Sequence, residues 1–359
     1  MKRQVIVITL ALFLVGAFTA ASADEAVLID FSQLKADIIP DAVNPGVFLQ
    51  NRATMMDFSG PAGASYTSDQ KKEMRTSLAM RNWDVVLASS SRSNLNQALS
   101  LTAEATIAKN APQYAGKTVI GFRIRFPVAD FNSWAKIQPP FEIPAFERSS
   151  VDDQGNVTDP PKGTAVTELS RFEGKVDQNT KITTALGIVK NVGVVKSVAV
   201  LVKGLNFPHG LSVVLKDSDG NEQTVFMGYL NFDGWKELRW DNPGYVQDVR
   251  NRELRIFPLY PKTTPLVKFA GFVVTRDAAN EGGDFVGYVQ EVRILYDKAV
   301  LVPVQDLDDE SIWGIVQKKE TERKNIESMR FGSQQVLRYI EQLKKTDTWT
   351  ADQAPAAKK

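Results

Sequence analysis

The chain has 359 residues, 43% hydrophobic and 24% charged, with a formal net charge of +1. This ordinary globular balance excludes a disordered chain and offers no basic excess for nucleic acid. Cysteine is absent and histidine occurs once, as His209; disulfides and a lipidated cysteine are excluded, and a histidine-based metal site or catalytic triad has one ring at most to use.

Lys2 and Arg3, the apolar run Val5 to Phe18 and the small residues Ala21-Ser22-Ala23 have the three-part form of a secretory signal peptide, with cleavage expected after Ala23. The run is shorter than the roughly 20 residues of a membrane span, so no membrane anchor is expected. Losing Lys2 and Arg3 turns the formal charge from +1 to −1.

The mature chain opens with a strand pattern, Val27 to Phe31, and loosens around Pro40, Asn44 and Pro45. Gly60 to Gly63 is a loop; Met74, Leu78 and Met80 within Lys71 to Arg81 predict a short helix; Asn82 to Ala88 predicts a strand, and Ser89 to Ser93 a polar turn. Leu95 to Ala108 has no decisive period. In Lys117 to Val128, Ile120, Phe122, Ile124 and Phe126 share one parity and Arg123 and Arg125 the other, a strand with one apolar face. Phe131 to Phe146 is rich in Pro, Phe and Trp134, and Val151 to Gly163 has the composition of a surface loop.

Punctuation becomes regular from Gly187. Val194 to Val202, Leu211 to Leu215 and Thr224 to Leu230 read as strands, the last two joined as a hairpin by Asp217 to Asn221. In Asn231 to Asp297, the run Arg252 to Phe257 places Leu254 and Ile256 opposite Glu253 and Arg255, which predicts a strand stopped by Pro258. In Phe285 to Tyr296, Val286, Tyr288, Val292, Ile294 and Tyr296 share one parity against Glu291 and Arg293. The scarcity of helical period between Lys117 and Asp297 predicts a mainly β fold, an antiparallel β-sandwich or jelly roll. Beyond Asp308, Ile312, Val316, Ile326, Met329, Val336, Ile340 and Leu343 among charges predict a C-terminal amphipathic helical extension, with Gly332 as the expected break and a frayed tail. The expected division is a signal peptide at 1–23, a β-sandwich with an irregular N-terminal region at 24–306, and the helical extension at 307–359.

Chemistry is sparse. Trp235, Trp240 and Tyr245 could stack on sugars, although aromatics more commonly fill cores and protein interfaces. Glu173 and Asp177 are a carboxylate pair without the surrounding pattern of a glycosidase. Asp217, Asp219 and Asn221, like Asp152 and Asp153, resemble half a calcium loop, but Glu222 is too near to supply the distal bidentate ligand, so a hairpin turn is the simpler reading. Pro208-His209-Gly210 is turn chemistry, and Asn156-Val157-Thr158 is a short glycosylation pattern of the kind that arises by chance.

The strings "VKNVGVVKSVAVLVKGLNFPHGLSVVL", "MGYLNFDGWKELRWDNPGYVQDVRNRELRIFPLYPKTTPLVKFAGFVV" and "EGGDFVGYVQEVRILYDKAV" resemble the spirochaete flagellar filament outer layer proteins, the FlaA sheath family. The match is dense over about Lys190 to Val300. The resemblance implies a non-enzymatic structural subunit without cofactor or metal, exported to the periplasm. There it would coat the core flagellin filament of periplasmic flagella beside other sheath subunits, self-associating in a helical coat with no nucleic-acid partner. Under it, Trp235, Trp240, Tyr245, Arg252 and Arg255 and the C-terminal helix are the candidate contact surfaces; a periplasmic carbohydrate-binding sandwich is the alternative.

Overall fold

Side chains that alternate between apolar and polar build two facing sheets here. The computed structural model describes residues 24–34, 38–40, 48–50, 55–57, 67–72, 75–143, 150–151, 157–158, 187–254, 257–258, 265–299, 301–302, 307, 309–319, 321–323, 325–326 and 329. The main strands are β1 (Asp24–Asp30), β2 (Asp84–Leu87), β3 (Leu101–Thr106), β4 (Thr118–Phe126), β5 (Ser133–Gln138), β6 (Ile188–Lys190), β7 (Val192–Leu205), β8 (Gly210–Asp217), β9 (Glu222–Tyr229), β10 (Asp233–Asp241), β11 (Leu266–Arg276) and β12 (Gly283–Lys298). The helices α1 (Asn94–Leu99), α2 (Tyr245–Leu254) and α3 (Asp309–Trp313) are among those that accompany them.

The first sheet has the order β10-β7-β12-β4-β3 with β1 also beside β12; the second has the order β9-β8-β11-β5-β2 with β6 also beside β11. All these pairings are antiparallel. The mainly β, sandwich-type fold expected from the sequence is therefore the fold the chain adopts.

The core lies between the sheets. Ile120, Phe122, Ile124 and Phe126 of β4 all point into it, as their parity predicts. Phe122 stacks on Phe272 of β11 at 6.4 Å, and Phe31, Trp83, Phe269 and Phe272 form a cluster with centroids 4.9–6.3 Å apart. Each such side chain contributes about 1.5–3 kcal/mol through burial. The buried Trp83 indole keeps its polar atom satisfied by donating to the Leu78 carbonyl at 3.0 Å.

Two long central strands each change neighbours partway along, and each is bulged at that point. β12 pairs with β4 over Gly283 to Val289 and with β1 over Glu291 to Tyr296, while against β7 the register skips from Val289 to Glu291. Gln290 is the extra residue. On β11 the register against β8 skips Ala270. The adjoining Gly271 adopts φ +140°, where an added Cβ would stand 2.2 Å from the Ile137 carbonyl oxygen, so only glycine fits.

The bulge corrects the single parity expected for Phe285 to Tyr296. Phe285 and Val289 face the core before it, and Val292, Ile294 and Tyr296 after it, which leaves Val286 and Tyr288 on the outer face. One inserted residue flips every side chain beyond it. Gln290 itself is fully buried, and its amide finds no hydrogen-bond partner among the described residues. Leaving such a group unpaired costs about 1–3 kcal/mol. Gln290→Met is accordingly expected to stabilise the protein by about 1 kcal/mol, read as a higher urea midpoint at unchanged m-value; a lower midpoint would contradict this.

The strand expected over Arg252 to Phe257 is also corrected, since Arg252 to Leu254 belong to α2. The cause lies upstream. Asn242 Oδ1 accepts from Gly244 N at 2.9 Å, the Asn242 carbonyl accepts from Tyr245 N at 3.2 Å, and Asp248 sits in the first turn. An Asn-Pro start with an early acid favours a helix more than two apolar residues favour a strand. The helix expected over Lys71 to Arg81 is shorter and earlier, at Ser68–Lys72, followed by a strand at Arg75–Ser77. Leu78 and Met80, two residues apart, are both buried, a spacing a helix face does not offer. In the C-terminal extension the described break falls at Gly314, with φ +57°, between α3 and the helical residues 315–319. Gly332, Arg255, Ala23 with the leader, and most of the 151–163 loop lie outside the described residues.

Arg276 closes β11 and is buried, with all five of its guanidinium protons satisfied. Nε donates to Ser133 Oγ (3.2 Å), Nη1 to the carbonyls of Pro127 (2.8 Å) and Asn280 (3.3 Å), and Nη2 to those of Ala129 (2.6 Å) and Phe131 (2.7 Å). One side chain thus ties the loop after β4 to the loop after β11.

Candidate interaction surfaces

Trp235 lies on the outer face of the first sheet. In β10 Leu238 faces inward and Trp240 packs against the core, so Trp235, Glu237 and Arg239 face outward, with Trp235 opposite Lys203 of β7. The Trp235 ring meets Tyr114 edge-on at 5.6 Å, and Lys117 Nζ stands 5.6 Å from the Tyr114 centroid. Tyr114 holds φ +56°, an uncommon conformation for a bulky residue. Between the 105–113 segment and the sheet runs a groove of about 800 Å³ lined by Lys203, Leu205, Asp233, Trp235 and Tyr288. Beside it the charges are paired. Arg293 binds Glu25 at 3.1 Å, Glu291 at 3.2 Å and Glu237, while Arg123 and Arg125 share Asp284 at 2.9 and 2.7 Å.

The other sequence candidates do not join Trp235. Trp240, five residues further along a strand and so on the opposite side, lines an inner hollow of about 410 Å³ with Val225, Leu215 and Asn242. Tyr245 Oη donates to the buried Asp297 at 2.6 Å, and Lys196 Nζ lies 5.4 Å from its ring, which fastens α2 to the sandwich. Arg252 is in the last turn of α2. One aromatic borders a groove, one packs against the core and one is an anchor, so the cluster that motivated a sugar-binding reading is not formed.

A second exposed aromatic surface lies apart from the sequence candidates. On the outer face of the second sheet, Trp134 of β5 is 45% exposed and Phe226 and Tyr229 of β9 are 49% and 48% exposed. Phe226 and Tyr229 meet edge-on at 5.4 Å. Ser212 and Val214, outward on β8 between those walls, are nonetheless buried. Lys136 of β5 and Glu222 of β9, three strand spacings and four residues from each other and so about 20 Å apart on a flat sheet, ion-pair at 2.7 Å. The outer face is a trough. Its signal was available: Trp134 shares parity with Lys136 against the buried Ala135 and Ile137, and Phe226 sits between the buried Val225 and Met227.

The C-terminal helix meets one end of this trough. Arg323 Nη2 donates to the Ser218 carbonyl at 3.0 Å, and Ile326 borders a hollow of about 200 Å³ with Phe141, Glu142, Lys216 and Lys268. Burial pushes the Glu142 pKa up, but Lys216 and Lys268 outweigh it and hold the carboxyl below its ordinary value. The apolar side chains Ile312, Trp313 and Ile326 remain 64–68% exposed.

Among the described residues, His209 and Asp217 have structural roles. His209 is buried among Phe126, Phe207 and Phe285, with centroids 4.6–5.9 Å away. Burial first, then Arg276, lowers its pKa to about 4. Asp217 closes the β8-β9 turn by accepting from Asn221 N at 2.8 Å and Asn221 Nδ2 at 3.0 Å, as the hairpin reading expected. Among the described residues no cluster of acids and histidine could hold a metal ion. Glu173 and Asp177 lie outside them.

The chain is an antiparallel β-sandwich whose exposed apolar side chains lie beside a groove, on the outer face of the second sheet and on the C-terminal helix. The model of the family "Flagellar filament outer layer protein Flaa" matches residues 48–305, and the chain belongs to this family. A flagellar filament outer layer protein of Treponema pallidum (strain Nichols) is 50% identical over 345 residues, 96% of this chain and 94% of that one. One of Spirochaeta aurantia is 41% identical over 358 residues, covering 99% and 97%, and one of Borreliella burgdorferi is 30% identical over 266 residues, covering 74% and 68%. Among solved structures, the TmCBM61 complex with β-1,4-galactotriose has 12% identity and a TM-score of 0.26 over 60% of this chain and 88% of that one. That likeness is too remote for anything about ligands to follow.

Proposed function

We propose that this chain is a non-enzymatic structural subunit of the outer layer of flagellar filaments, exported to the periplasm, where it coats a core flagellin filament and supports its stiffness and shape. The observation that carries this reading is 50% identity over 96% of the chain to a flagellar filament outer layer protein. Residues 24–306 form the coating domain and 307–359 its helical extension. A coat subunit needs separate faces for the core and for its neighbours. The two outward sheet faces, bearing Trp235 and Trp134 respectively, suit that division. The Trp235 groove is the core-facing surface.

Trp235→Ala tests this assignment. The variant is expected to fold, losing about 1 kcal/mol at most, and to be several-fold depleted from isolated filaments while reaching normal levels in the envelope. Full decoration of the filament by the variant would remove the groove from that role.

A further inference from the structure

We propose that the Trp235 groove recognises an acidic side chain of the core subunit, carried on an extended and otherwise apolar segment, and that Lys203 is the residue that pairs with it. This deepens the core-facing reading of the groove and rests on it. On the outer face of the first sheet a single register row crosses five strands: Trp235 of β10, Lys203 of β7, Tyr288 of β12, Gly121 of β4 and Ala103 of β3. Lys203 stands between the two aromatics, which two strand spacings hold about 10 Å apart. Both rings are kept off the lysine. The Tyr288 ring lies over Gly121, where an added Cβ would stand 3.0 Å from Cε1 and 3.2 Å from Cδ1, so the missing side chain lets the ring lean towards β3. The Trp235 ring is braced edge-on by Tyr114, whose backbone holds the left-handed conformation, strain of the kind that binding sites retain.

The charge on Lys203 is what selects the occupant. Arg123, Arg125 and Arg293 on the same face are all paired, whereas Lys203, half-buried in the groove, makes no ion pair or hydrogen bond among the described residues. Asp233, the one acid lining the groove, lies further along β10 opposite Leu205 and forms no ion pair with it. A surface laid over the groove takes this ammonium out of water, and a buried ammonium is tolerated only beside a counter-charge. The covering surface must therefore bring the acid. The 105–113 wall, with Ala105, Ile107, Ala108, Ala111 and Pro112, offers aliphatic contact in place of the hydrogen-bonding groups that sugar hydroxyls need, which favours a peptide segment with apolar side chains around its carboxylate.

The experiment treats isolated filaments, outer layer in place, with a water-soluble carbodiimide, which joins an amine to a carboxylate in contact with it, and maps the cross-links by mass spectrometry. The expected product is an isopeptide bond between Lys203 Nζ and an Asp or Glu of the core subunit. Lys203→Arg keeps the charge and is expected to decorate filaments while losing the cross-link, since a guanidinium does not form it. Lys203→Met is expected to be depleted from filaments by about tenfold or more, at an unchanged melting temperature and a normal level in the envelope. A Lys203 that is linked to Asp233 of its own chain, to a second copy of this chain or to an acidic sugar, or that is not linked at all, overturns the proposal, as does Lys203→Met decorating filaments like the wild type. If Trp235→Ala is depleted and Lys203→Met is not, the groove still faces the core and only the acidic occupant is refuted. Absence of the wild-type protein from filaments refutes the outer-layer reading, and the occupant with it.

Discussion

Arg276→Met lowers the stability of the mature protein by about 3–5 kcal/mol, the range measured when one side of a buried charged network is removed. Four carbonyls and the Ser133 hydroxyl lose their donor at once, and each acceptor left buried costs about 1–3 kcal/mol unless water reaches it. Arg276→Lys separates geometry from charge. An ammonium keeps the charge but has three protons on one atom and cannot span five acceptors, so it should recover less than half of the loss. Calorimetric or near-UV circular dichroism melting reads the effect as a fall of about 10 °C. A loss under 1 kcal/mol for both variants would show that the two loops are held by something other than this guanidinium.

Acidification weakens the fold through His209. Its pKa is about 4 in the folded protein against 6.5 ordinarily, so the unfolded chain binds the extra proton first. The stability this histidine contributes is therefore complete above about pH 6.5 and lost as the pH falls towards 4. The difference corresponds to about 2 kcal/mol between pH 7.5 and 5, and about 3 kcal/mol at pH 4. Glu142, whose pKa is lowered on balance by Lys216 and Lys268, adds a loss of the same sign at lower pH. His209→Gln, which cannot take up a proton, should flatten the profile between pH 7.5 and 5. Equal pH slopes for variant and wild type would contradict the buried, neutral state of this ring.

The strands were legible in the sequence where alternation ran unbroken, as in β4 with Ile120, Phe122, Ile124 and Phe126. They were misread where one residue broke the alternation. Gln290 carries no local mark of a bulge, because it sits where β12 passes from β4 to β1, and those neighbours are set by distant segments. Trp235 and Trp240 are a different case. An odd separation within one strand puts two residues on opposite faces, so their parting was readable once β10 was recognised. Over Arg252 to Leu254 a four-residue alternation competes with the Asn242-Pro243 start of α2, and the helix prevails. Trp134 and Phe226 lie on the polar parity of their strands, and an aromatic at such a position marks an exposed surface. The family, by contrast, was legible from long strings that no local physics explains.

Cryo-electron microscopy of flagellar filaments isolated from the wild type and from a strain lacking this chain tests the central claim most directly. The wild-type filament should carry, outside the flagellin core, a layer of density that fits the two-sheet sandwich, and the deletion strain should yield thinner filaments without that layer. Filaments of equal diameter in both strains, with the protein recovered free in the envelope, would contradict the account.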